Sequence, residues 1–115
     1  MNDYFILSNK EISFGDFRRI VQSIPECKTV SYEDAQVIQV WCNGKHIDFT
    51  AMCLEEFSCV LDQDVINSKN IKSIFMISCH DCSKSELDFV VNSISTSLTG
   101  WLGQDTDGFA PLVQL

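Results

Sequence analysis

The chain has little histidine, little proline and few basic residues. Its two histidines, His46 and His80, belong to no nucleophile motif, so the parts of a hydrolase are missing. Two prolines and five glycines make no flexible linker and no glycine-rich phosphate loop. No apolar run approaches the roughly 20 residues that a membrane-spanning helix needs. The N-terminal MNDYFILSNKE lacks a basic n-region, and YFIL is too short for the apolar core of a signal peptide. No repeat or second domain is evident. The sequence is therefore expected to form one cytoplasmic domain over residues 1–115.

Positive charge is also scarce. Eight basic residues face 16 acidic ones, giving −8. Residues 1–50 hold seven acids and five bases, and residues 51–115 hold nine acids and three bases, so the excess lies in the second half. Such a field repels nucleic acid and anionic membrane and attracts basic proteins. It serves solubility equally well.

What is present centres on residues 71–100. Ile74, Phe75, Met76 and Ile77 are consecutive apolar residues, which predicts a central strand over Ile71–Cys79 with both faces covered. Ser83 and Glu86 have capping-box spacing, and Leu87, Val90, Val91, Ile94 and Leu98 form one helical stripe. This predicts a helix over Lys84–Thr99, with Gly100 as its C-terminal cap. Earlier, Tyr4 to Leu7 predict a short buried strand. Ser13 and Asp16 then open a helix over Ser13–Ile24 with Phe14, Phe17, Ile20, Val21 and Ile24 inward. Arg18 and Arg19 belong to its solvated face. Cys27 to Tyr32 alternates weakly, as a strand would.

Asn43-Gly44 is the strongest local turn signal, between hairpin arms over Ala35–Met52. A two-residue loop pairs Trp41 with His46 and Val40 with Ile47. Ile38, Val40, Ile47 and Phe49 then form a core face, and Gln39, Trp41, His46 and Asp48 a polar one. Leu54, Phe57 and Leu61 predict a short helix over Leu54–Asp62. Gln104 to Gly108 has turn composition, and Phe109 to Leu115 a last strand with Pro111 at an edge. The order β-α-β-β-α-β-α-β, with room for one further strand, predicts an α+β two-layer sandwich with a mixed sheet.

Six cysteines in a cytosolic chain are expected to stay reduced, with Cys27, Cys42, Cys53 and Cys59 as small core residues. Cys79-His80-Asp81-Cys82 is a CxxC between a strand and a helix, the context of thioredoxin-like redox sites. Only 33 residues follow it, fewer elements than that fold needs. No second CxxC or histidine pair completes a zinc site. No metal and no cofactor is expected, and a thiol-redox or metal-binding role for Cys79 and Cys82 is the alternative reading. Asp105-Thr106-Asp107-Gly108 lacks the closing Glu of a calcium loop and is expected to be a turn.

These features together resemble a known group. The segments SCHDCSKSELDFVV and GWLGQDTDGFAPL, the small size and the acidic charge are similar to the bacterial immunity proteins of contact-dependent inhibition and other polymorphic toxin systems. The resemblance implies a non-enzymatic binding protein that neutralises a cognate toxin, a basic nuclease for instance, by occluding its active site or substrate surface. The expected partner-binding residues are Glu55, Glu56, Asp62, Asp64, Asp81, Asp105 and Asp107, which would meet basic groups, and Trp41 and His46 as an aromatic anchor. A C-terminal edge strand leaves homodimerisation open.

Overall fold

The Asn43-Gly44 turn has both residues at positive φ, 54° and 76°, as a type I′ turn requires. It joins β3 (Val37–Cys42) to β4 (Lys45–Met52) in the predicted register, with Trp41 opposite His46 and Val40 opposite Ile47. The computed structural model describes residues 2–79 and 82–115. Its remaining elements are β1 (Asn2–Ser8), α1 (Phe14–Gln22), β2 (Lys28–Tyr32), α2 (Val60–Ser68), β5 (Ser73–Cys79), α3 (Lys84–Ser95), β6 (Trp101–Gln104) and β7 (Val113–Gln114). Single 3-10 turns stand at Leu54–Glu56 and Asp107–Phe109. The fold is α+β, and all seven strands join one sheet in the order β2-β3-β4-β5-β1-β6-β7.

Every pairing is antiparallel, where a mixed sheet was expected. The reason lies in where the crossovers land. Helix α1 connects β1 to β2, and α3 connects β5 to β6. Both pairs run parallel, but neither is adjacent: β5, β4 and β3 stand between the first, and β1 between the second. Both helices cover the same face, so the two crossovers have the same hand, as crossover chirality demands.

The core lies on both sides of the sheet. On one side Phe17, Val21 and Ile24 of α1 and its exit, and Leu87, Val90, Val91 and Ile94 of α3, pack on Ile6, Ile38, Val40, Ile47, Phe49, Phe75 and Ile77. Phe17 stacks on Phe75 with ring centroids 3.8 Å apart. On the other side Phe57, Ile66 and Phe109 cover Phe5, Leu7 and Ile74. A second, smaller layer is thus added to the expected two. It accounts for the continuous apolar run in β5, which lies between β4 and β1 as predicted for the central strand.

Three boundaries differ from expectation. The helix predicted over Leu54–Asp62 is a 3-10 turn followed by α2, which runs on to Ser68. The chain breaks at Phe57 because that ring leaves the helical path to meet Phe5 and Phe109, with centroids at 5.4 and 5.3 Å. Leu61, expected to face inward, is consequently exposed. Helix α3 ends at Ser95 with Thr96 as its C-cap, so Gly100 is not a cap. Instead it is buried against the backbone of Leu7, where β6 begins its pairing with β1. Of the strand expected over 109–115, only Val113–Gln114 forms, at an edge, and β6 supplies the further strand.

Cys27 and Cys42 form a disulfide, with Cα atoms 5.0 Å apart, and are not reduced core residues. Lys28 pairs with Trp41, so the next position outward sets Cys27 opposite Cys42. Cys53 is exposed and Cys59 half-buried, so neither is a core residue.

Candidate partner-binding site

Among the described residues, the layer of α2 and the two 3-10 turns covers β1, β5, β6 and the end of β4. Beside it the sheet is open. Strand alternation brings Lys28, Val30 and Tyr32 of β2, Val37, Gln39 and Trp41 of β3, and His46, Asp48 and Thr50 of β4 to this same face. Val30 is 40% exposed, Tyr32 49% and Trp41 37%. On the side facing α1 and α3, Ile38, Val40, Ile47 and Phe49 are buried and Thr29 and Ser31 half-buried.

The open face is held by hydrogen bonds rather than packing. The Trp41 indole donates to Gln39 Oε1 at 3.2 Å, and the Tyr32 hydroxyl approaches the same oxygen at 3.5 Å. Gln39 thus fixes two aromatic rings. His46 lies against Trp41 with ring centroids 4.6 Å apart, and its Nδ1 is 2.7 Å from Asp48 Oδ1. Trp41 and His46 are therefore brought together as their cross-strand register predicted, on a face that no helix covers among the described residues. Tyr32 and Val30 were not foreseen as site residues. Their alternation with Thr29 and Ser31 is the signal that carries them, and it needs β2 as a firm strand to be used.

The predicted acids form the wall beside this floor. Asp62 accepts from the Gly108 amide at 2.7 Å, tying α2 to the Asp107–Phe109 turn. Asp107 lies on that turn, with its Oδ1 3.8 Å from Cys59 Sγ. Glu56 accepts from the Cys53 amide at 2.7 Å. Asp62 and Glu56 therefore also shape the backbone. Glu55, Asp64 and Asp105 are exposed and make no side-chain hydrogen bond among the described residues. None of the six is in an ion pair among the described residues. Asp81, the seventh predicted acid, lies outside them, as does His80. The wall and the floor are on one side of the sheet, because Met52 and Met76, which pack under the wall, share a face with Asp48 and Thr50.

The redox and metal candidates lie elsewhere. Cys79 and Cys82 pack on the opposite side, with the α1–α3 core. Burial, and then the neighbouring Cys82, push the Cys79 thiol up to about 12. A thiol so raised is a poor nucleophile by itself. Among the described residues no group of three His, Cys, Asp or Glu side chains is placed to hold a metal ion, and no helix is long and apolar enough to cross a membrane. Comparison with protein-family models, curated proteins and solved structures returns no match.

Proposed function

We propose that the protein is a non-catalytic binding module that neutralises a basic protein partner, in the manner of a bacterial immunity protein acting on its cognate toxin. The observation that carries this reading is the open sheet face: two aromatic rings exposed beside Gln39 on one sheet surface, next to acids without ion-pair partners among the described residues. Exposed aromatics anchored by hydrogen bonds are the residue types that dominate protein interfaces. Unpaired carboxylates at the rim speed encounter with a basic surface and exclude acidic ones. A nuclease that binds phosphates with Lys and Arg is a partner of the right chemistry, and occlusion of that surface is the mechanism. The encounter belongs to the cytoplasm, where a toxin of this type would act.

Co-expression with the product of the adjacent gene, followed by co-purification and calorimetry, tests the reading. A tight complex that Trp41→Ala weakens by about 2 kcal/mol or more is the expected result. A complex that leaves Trp41 and Tyr32 fully accessible would refute the assigned face, and absence of any complex would refute the function.

A further inference from the structure

On the side of the sheet away from the docking face, a cleft opens where the exit of α1, the β3–β4 turn and the start of α3 meet. It measures about 260 Å³, and its lining includes Cys27, Cys42, Cys82, Lys45, Glu86 and Phe89. The Cys27–Cys42 disulfide thus shares one cleft with a free cysteine. Strand β4 holds Cys82 in place, its Sγ lying 3.7 Å from the His46 carbonyl oxygen. Cys79, at the end of β5, packs on the same core, and burial, then the neighbouring Cys82, raise its thiol. One disulfide and Cys82 therefore meet at a single opening, with the second thiol of the CxxC spacing, Cys79, outside its lining.

We propose that this cleft is a thiol–disulfide exchange site, in which Cys82 attacks the Cys27–Cys42 disulfide and Cys79 resolves the mixed disulfide that results. In the first step Cys82 gives up its proton and its sulfur bonds to one sulfur of the pair. The S–S bond breaks, and the departing cysteine leaves as thiolate and takes up a proton. In the second step Cys79, no longer raised by the Cys82 thiol now held in a disulfide, loses its proton and attacks Cys82 Sγ. The remaining cysteine of the original pair leaves and is protonated. A disulfide has moved to Cys79–Cys82, no oxidant or reductant is consumed, and the chain still has four free thiols. The exchange unpins β2 from β3 and locks the junction between β5 and α3. It stands apart from the partner-binding reading, since it needs no partner.

Disulfide mapping of the purified full chain tests it. The protein is held at about pH 8 with a trace of small thiol to start exchange, quenched in acid, alkylated and mapped by mass spectrometry. Both the Cys27–Cys42 and the Cys79–Cys82 linkages should appear in wild type. Cys79→Ser removes the resolving thiol and should raise the mixed disulfide of Cys82 with Cys27 or Cys42 about tenfold. Cys82→Ser should hold the Cys27–Cys42 linkage alone. Wild type in which only Cys27–Cys42 is found, or in which no intrachain disulfide forms, would overturn the proposal without reference to any variant. A folded Cys79→Ser chain that traps no mixed disulfide would overturn the order of attack.

Discussion

A β-carbon at Gly100 would lie 2.2 Å from the Leu7 carbonyl oxygen and 3.2 Å from Ser8 Cα. Both neighbours are backbone of β1, paired on both sides by β5 and β6, and have no room to yield. Gly100 is therefore what lets β6 approach β1, and Gly100→Ala should cost about 1–3 kcal/mol in urea denaturation. An unchanged midpoint would show that β6 can pair without this approach. Glu86 illustrates a different kind of residue effect. Its carboxyl accepts from the Ser83 amide at 3.0 Å while Ser83 Oγ accepts from the Glu86 amide, a reciprocal cap of α3. The Ser83 backbone hydrogen bond, then the Ser83 side chain, with Lys45 nearby, hold the carboxyl below its ordinary 4.5. The folded state thus binds this proton less readily than the unfolded chain. The resulting stabilisation is complete above the ordinary carboxylate range and is lost as pH falls through the depressed folded value. The protection factors of the first amides of α3, taken relative to the intrinsic exchange rate at each pH, should fall on that descent in wild type and not in Glu86→Gln; equal profiles for the two would remove the cap from the account.

At the scale of elements, the parts that could be foreseen are those set by neighbours in sequence. The β3–β4 register follows from two turn residues, the start of α3 from Ser83 and Glu86, and the burial of β5 from its own apolar run. Elements shaped by distant partners were not legible. Phe57 breaks the helix predicted over Leu54–Asp62 because Phe5 and Phe109 receive it, and nothing local announces either. Strand β6 has only four residues and is defined by its pairing with β1. The disulfide is an intermediate case. Once β2 pairs with β3, register alone opposes Cys27 and Cys42, so the pairing was implicit in a strand that the weak alternation left undecided. The cross-link encloses a loop of sequence separation 15. Closure entropy for such a loop gives about 3 kcal/mol, so Cys27→Ser/Cys42→Ser should lower the unfolding free energy by up to that amount. The loss should be accompanied by faster amide exchange in β2, an edge strand paired only with β3. Uniform exchange across the sheet would mean that the cross-link acts on global stability without holding the edge.

At the scale of the molecule, a net charge of −8 is unevenly used. Asp16 pairs with Arg19 and Glu33 with Arg18, both at 2.7 Å, and Glu86 meets Lys45 at 3.6 Å. All three pairs involve α1, α3 or the loops beside them. Among the described residues the acids of the wall are left without such partners, on the side of the sheet where Trp41 and Tyr32 are exposed. The sequence showed the crowding of Glu55, Glu56, Asp62 and Asp64, but it could not show that the turn carrying Asp107 docks on α2 and extends the same field. That contact also separates the acids by role. Asp62 and Glu56 hold backbone amides, so their replacement mixes stability with binding. Glu55, Asp64 and Asp105 have no such duty and give the cleaner test. If they steer a basic partner, Glu55→Gln/Asp64→Asn/Asp105→Asn should slow association about tenfold or more at low salt while changing dissociation little. Salt should shrink the difference, because charges at an exposed rim are screened over about 10 Å at 0.1 M ionic strength. Stopped-flow association at several salt concentrations reads both effects together. Slowed association that salt does not relieve would point to altered structure rather than steering. Association at the wild-type rate would reduce the wall to a solubility device and leave Trp41, Tyr32 and His46 to carry recognition.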